Sequence, residues 1–122
     1  MLRNKIELED TKVLDLCAGT GNMTFEFASR GASSVLAIDQ HVGCIKFIKK
    51  AADELKLDSI TAIKADVFKF VDKLTQQYDI IFADPPYALE ATANLPTSIF
   101  KKGLLAENGL LVVEHGRETS FE

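Results

Sequence analysis

KVLDLCAGTGNMTFEFASRGASSVLAID, Lys12 to Asp39, is the stretch that decides the fold. KVLDLC at 12–17 and SVLAI at 34–38 are short apolar runs of the kind that form buried strands. Between them AGTG makes a glycine turn, and Asn22 to Arg30 reads as a short helix ended by Gly31. Met23, Phe25, Phe27 and Ala28 spread around that helix, so it is expected to pack on more than one side. A strand, a helix and a second strand in such close succession form the crossover unit that joins parallel neighbours.

Outward from this unit the pattern repeats. ITAIK at 60–64, YDIIFA at 78–83 and GLLVVE at 109–114 carry large apolar residues on both parities, as expected for strands covered on both faces. Ile45, Ile48, Ala52 and Leu55 form one helical stripe, with Lys46, Lys49, Lys50, Asp53 and Glu54 elsewhere on the wheel. Val67, Phe70, Val71 and Leu74 form another. LEATANLPTSIFKKGLLAENG holds a further helix whose start Pro96 obscures, and Asn108 and Gly109 are expected to turn the chain into the last strand. Strict alternation predicts an α/β fold, a parallel sheet with helices on both faces, and the expected strand order is 3-2-1-4-5, which would make the first and fourth strands neighbours at the reversal. Ligands in such sheets bind beyond the carboxyl ends of the strands, where the order reverses. Here that place lies between strands 1 and 4, whose ends carry DLCAGTG and FADPPY.

Bulk properties narrow the function classes. A chain of 122 residues, 47% hydrophobic and 26% charged, fits one globular domain rather than a disordered segment. It has no apolar run near the roughly 18 residues of a membrane span, and MLRNKIELED lacks the order of a signal peptide, so a cytoplasmic protein is expected. The net charge of −4, from 14 basic and 18 acidic residues, gives no global attraction to phosphates. Cys17 and Cys44 have no CxxC spacing and read as reduced structural thiols; no metal site is expected. His41, His115, Lys46, Lys49, Lys50, Lys101 and Lys102 read as solvated.

The turn DLCAGTGN, Asp15 to Asn22, sorts the nucleotide ligands. A phosphate-cradling P-loop needs Lys-Ser/Thr after its last glycine, and Asn22 and Met23 stand there. A dinucleotide turn needs a third Gly or Ala, and that place is Thr24. Two readings remain: a nucleoside ligand without phosphates, or structural punctuation between strand and helix. Asp39, at the tip of strand 2, can accept ribose hydroxyls or cap the next helix. Asp66 can accept from an adenine amine or cap the helix that starts at Val67.

FADPPY at 82–87 closes a buried strand with an acid and two residues that have no N–H. Asp84 and the Pro85 carbonyl thus offer two acceptors with no competing proline donor, a pair suited to the two N–H groups of an exocyclic amine. Holding that amine aims its lone pair at a methyl donor. Tyr87 supplies a face for a base, a contact typically worth about 1–3 kcal/mol. A strand simply ended by proline is the competing account.

D-x-x-x-G-x-G resembles the first motif of S-adenosylmethionine-dependent methyltransferases. From about Lys12 to His115 the chain resembles the methyltransferase domain of the bacterial small-subunit (16S) ribosomal RNA guanine-N2-methyltransferase family. The likeness is carried by VLDLCAGTGNMTFEFASRGASSV with its SRGA at Ser29 to Ala32, by FADPPY, and by LLVVEH from Leu110 to His115. It implies a Rossmann-like class I methyltransferase that moves methyl from S-adenosylmethionine to N2 of a guanine. The cofactor positions implied are Asp15, Cys17, Ala18, Gly19, Thr20, Gly21, Asp39, Gln40, Asp66, Val67 and Asp84. Asp84, Pro85 and Tyr87 are implied at the target base. Ribosomal RNA or the assembled small-subunit particle is the implied partner, and a monomer is expected.

Two positions depart from the family pattern: Cys17 stands where Phe is more usual, and Asp39 where Glu is also common. The family's closing strands 6 and 7 and its basic leading segment are not found, so residues 1–122 read as one methyltransferase domain, core about 12–115, incomplete at both ends. Rival expectations are methylation of adenine or cytosine amino groups in DNA, and a non-catalytic cofactor-binding module or fragment. Glutamine methylation resembles an Asn-Pro-Pro-Tyr site, against Asp84 here.

Overall fold

A computed structural model describes residues 9–83 and 95–113. Along the chain run β1 (Lys12–Leu16), α1 (Asn22–Ser29), β2 (Ser34–Asp39), α2 (Val42–Glu54), β3 (Ile60–Lys64), α3 (Val67–Lys73), β4 (Tyr78–Ala83), α4 (Leu95–Lys101) and β5 (Leu105–Val113). The five strands form one sheet in the expected order β3-β2-β1-β4-β5, and every pairing is parallel, as the alternation predicted.

Alternate residues of the strands feed opposite faces. Leu14, Leu16, Ile38, Ile81 and Ala83 pack with Val67 and Val71 of α3 and Leu95 and Ile99 of α4. On the other face Val13, Val35 and Phe82 meet Phe27 and Ala28 of α1, the Phe27 and Phe82 rings edge to face at 6.2 Å. Ala37 and Ala62 meet Ile45 and Ile48 of α2. Each fully buried Leu or Ile here contributes about 1.5–3 kcal/mol over its exposed state. The central strand, β1, is buried from Val13 to Leu16, so the turn that follows it starts from the most constrained place in the sheet.

Several boundaries differ from the sequence expectation. β1 ends at Leu16, which puts Cys17 in the turn. Leu55 is 61% exposed and lies past the end of α2, so it is not part of the buried stripe. There the Leu57 N–H donates to the Ala52 carbonyl and the Lys56 N–H to that of Asp53, closing the helix with Lys56 at φ 57. Gly31 ends α1 as expected, its N–H donating to the Ala28 carbonyl and that of Ala32 to Phe27. β3 is an edge strand that buries only Ala62, not a strand covered on both faces.

β5 begins at Leu105, before the expected Asn108-Gly109 turn. Tyr78 pairs with Leu105 and Ile80 with Leu110, so the register shifts and Asn108, at φ 66, sits inside a bulge. Pro96 falls in the first turn of α4, where its missing N–H interrupts no helical bond. No described helix is long and apolar enough to cross a membrane.

Candidate functional site

The carboxyl ends of three neighbouring strands make the site. Leu16 of β1 is register-paired with Ile38 of β2 on one side and with Ala83 of β4 on the other. The turn that leaves Leu16 is left-handed at three positions: Cys17 at φ 59, Gly19 at φ 60 and Gly21 at φ 93. For a cysteine this conformation costs about 1–2 kcal/mol, so the surroundings must hold it. They do so through main-chain bonds: the Ala18 N–H donates to the Ile38 carbonyl and the Gly21 N–H to that of Ala18, both at 2.9 Å.

A third bond ties the turn to the acid at the tip of β2. The Gly19 N–H donates to Asp39 Oδ2 at 2.8 Å, and the His41 N–H to Oδ1 at 2.9 Å. The half-buried carboxylate is therefore a clasp between the glycine turn and the start of α2. A phosphate at the Gly19 N–H would meet this negative charge. The clasp thus agrees with the sequence argument against pyrophosphate, and it corrects the cap reading of Asp39. The N-cap residue of α2 is His41, and Asp39 holds the His41 N–H just ahead of the helix while tying down the glycine turn, a bond the sequence did not suggest.

The two glycines differ in role. A Cβ on Gly21 would lie 2.9 Å from the Phe25 ring and 3.0 Å from Ile48, so Gly21 lets α1 and α2 close on the turn. A Cβ on Gly19 would meet nothing within 4 Å. Gly19 borders a cleft of about 250 Å³, walled also by Asp15, Cys17, Thr20, Met23 and Phe82. Of the sequence-predicted residues, Asp15, Cys17, Ala18, Gly19 and Thr20 line this cleft together.

Asp15 is 1% exposed and points to the α1 face, opposite Phe82 in register. Its Oδ2 accepts the Thr24 hydroxyl at 2.6 Å, and Thr24 is wholly buried. Sequence reasoning used Thr24 only to reject a dinucleotide turn. Its signal was a hydroxyl at a place where helix and strand approach closely.

Asp66 is the N-cap of α3: its Oδ1 accepts from the Phe68 N–H at 2.9 Å and the Lys69 N–H at 3.1 Å. Oδ2 accepts no hydrogen bond among the described residues. The Val67 side chain is buried with the α3 face of the core, which leaves its main chain as the part able to face a ligand, and Gln40 is exposed. Asp84, Pro85 and Tyr87, and His115, lie outside the described residues; β4 is described to Ala83, beside Leu16.

Elsewhere, burial raises the Tyr78 phenol above its ordinary 10.0, at the start of β4 and away from the turn. A hollow of about 240 Å³ lies between α2 and the start of β3, lined by Lys49, Asp53 and Asp58 among others. It sits beside the amino end of the edge strand β3, away from the carboxyl ends that carry the clasp, and shares none of the clasp's features. No three of the described His, Cys, Asp and Glu residues stand together as a metal would require.

The sheet order, the covered faces and the glycine turn at the switch point define a class I methyltransferase fold. The chain belongs to the family described as "Conserved hypothetical protein 95", whose profile matches residues 1–122.

Among similar proteins, "Ribosomal RNA small subunit methyltransferase D" of Buchnera aphidicola subsp. Baizongia pistaciae is 29% identical over 108 residues, covering 88% of this chain and 55% of its own. A solved structure, "conserved hypothetical protein" of Streptococcus pyogenes, superposes with a TM-score of 0.83 at 28% identity, over 95% of this chain and 73% of the other. PKMT2 of Rickettsia typhi, solved in complex with AdoHcy, has a TM-score of 0.71 at 22% identity over 88% of this chain and 21% of its own, a likeness of fold alone. The chain spans about half the length of the curated relatives it matches.

Proposed function

We propose that the protein transfers a methyl group from S-adenosylmethionine to N2 of a guanine in small-subunit ribosomal RNA. The carrying observation is the register of Leu16 with Ala83, because it sets the strand that leads into the glycine turn beside the strand that leads, in sequence, into Asp84-Pro85-Pro86-Tyr87. The name of the Buchnera relative supports the choice of ribosomal RNA.

The described residues fit the cofactor. Open space above Gly19 admits a ligand close to the main chain. Each carboxylate oxygen of Asp39 has a second lone pair, so the clasp retains capacity for ribose hydroxyls. Asp66 Oδ2 can take the adenine amine while Oδ1 caps α3. Asp15, Cys17, Ala18 and Thr20 form the floor and side of the cleft. When bound, the cofactor supplies a methyl group on a sulfonium, which passes to the amine nitrogen while the carbon–sulfur electron pair stays on sulfur.

The chain's own part is positioning. Asp84 and the Pro85 carbonyl hold the two amine hydrogens, and Tyr87 stacks the base. Asp84 also draws the proton that the methylated nitrogen must release. The guanine has to leave its stack, since N2 in a paired helix cannot be approached in line. With a net charge of −4 the chain supplies little phosphate attraction of its own, which favours a preassembled particle as substrate.

Labelled S-adenosylmethionine with under-methylated small-subunit particles, naked RNA and DNA tests the proposal. Label on N2 of guanine in the particles is expected. Label only in DNA would establish the amino-methylation of adenine or cytosine instead, and cofactor uptake with no label anywhere would leave a binding module. Asp84→Ala is expected to abolish transfer and spare most cofactor affinity.

A further inference from the structure

From the buried pair at the floor of the cleft we infer that Thr24 is a positioning residue, which aims the Asp15 carboxylate at the positively charged end of the cofactor. The inference rests on the cofactor reading above. A carboxylate that is 1% exposed is costly to bury unless hydrogen bonds hold it. Asp15 stands on the wall of the cleft beside Cys17 and Phe82.

Thr24 is the residue of α1 that meets it. A threonine inside a helix commonly returns its hydroxyl to a carbonyl of the preceding turn. Here the hydroxyl leaves the helix and donates to Asp15 Oδ2 at 2.6 Å, the short distance of a charge-assisted bond. Fixing one oxygen on the helix sets the orientation of the carboxylate in the strand. Thr24 occupies the place where a dinucleotide turn has its third small residue, Gly or Ala, so the hydroxyl stands where such a turn carries at most a methyl group.

The ligand expected in this cleft carries a sulfonium and an ammonium against one carboxylate, a net positive charge. A fixed, buried carboxylate discriminates in favour of that charge. A neutral thioether nucleoside with the same adenosine would gain nothing from it. The pair therefore reads the charge of the methyl donor, separately from the adenosine contacts of Asp39 and Asp66.

Calorimetric titration with S-adenosylmethionine and, separately, with 5′-methylthioadenosine tests this on the wild-type chain, Thr24→Val, Thr24→Ser and Asp15→Asn. Thr24→Val is expected to weaken S-adenosylmethionine about tenfold, the scale of a lost hydrogen bond to a charged group, and to leave methylthioadenosine within about twofold. Thr24→Ser restores the wild-type preference. Equal weakening of both ligands, or no change for either, would overturn the inference. Asp15→Asn keeps the size and removes the charge, so it gives an independent reading should the valine variant not fold: loss of the preference supports the inference, and an unchanged preference overturns it. Wild-type protein that takes up neither ligand would refute the cofactor reading itself.

Discussion

The cleft beside the glycine turn, about 250 Å³, and the hollow between α2 and β3, about 240 Å³, are alike in volume and unlike in chemistry. The hollow is flanked by exposed charges, Lys49, Asp53 and Asp58, that water satisfies. The cleft is walled by a buried acid, Asp15, and by two left-handed residues, Cys17 and Gly19, and the Gly19 N–H is held by the Asp39 carboxylate, which also accepts from the His41 N–H. Unfavourable local conformations persist only where the rest of the fold holds them, and they gather where a ligand must be approached closely. Size does not separate the two places; the free energy stored in their backbone and charges does.

Substitutions that treat the two places alike would break this contrast. The largest effect is expected at Gly21→Ala, which combines φ 93 with contacts at 2.9 and 3.0 Å to Phe25 and Ile48. It should lower the unfolding free energy by about 2–4 kcal/mol in a urea titration, the range of strain plus overpacking. Asp39→Ala comes next: it leaves the Gly19 and His41 N–H groups without their acceptor and should weaken S-adenosylmethionine at least about tenfold by calorimetry.

Asp66→Ala should cost about 1 kcal/mol of stability as a lost helix cap, with Asp66→Asn restoring the cap. If Asp66 Oδ2 also takes the adenine amine, Asp66→Asn regains stability in thermal melts but less of the cofactor affinity. Smallest of all is Asp58→Ala in the α2–β3 hollow, within about 0.5 kcal/mol in stability and without effect on ligand uptake.

How far the sequence carried depended on whether a feature was local. The parallel pairing and the two covered faces followed from the alternation of short apolar runs with helical stripes, because parallel neighbours must be joined by crossovers; the order 3-2-1-4-5 did not follow from alternation and is given by the structure. The end of α1 was legible because Gly31 marks it; the end of α2 was not, because Lys56 adopts the left-handed closing conformation with no glycine to announce it, and the stripe ran on to an exposed Leu55. β5 hid its start in the same way, since Asn108 and Gly109 read as a turn while the structure pairs across a bulge.

At the site, the glycine turn and Asp39 were each visible, one at the end of strand 1 and the other at the end of strand 2. Their bond to one another was not, because it joins positions 20 apart through the register of β1 with β2. The Asp15–Thr24 pair was hidden for a further reason: which face of the strand Asp15 occupies depends on packing, and nothing in DLCAGTGN states it.

The central claim is that ligand chemistry resides at the clasped turn and not at its equal in volume. Amide chemical-shift perturbation on titration with S-adenosylmethionine tests it most directly. The account predicts the largest shifts at Ala18, Gly19, Thr20 and His41, with Leu57, Asp58 and Ile60 unmoved. Shifts concentrated at those last three residues, or none anywhere at saturating ligand, would contradict it.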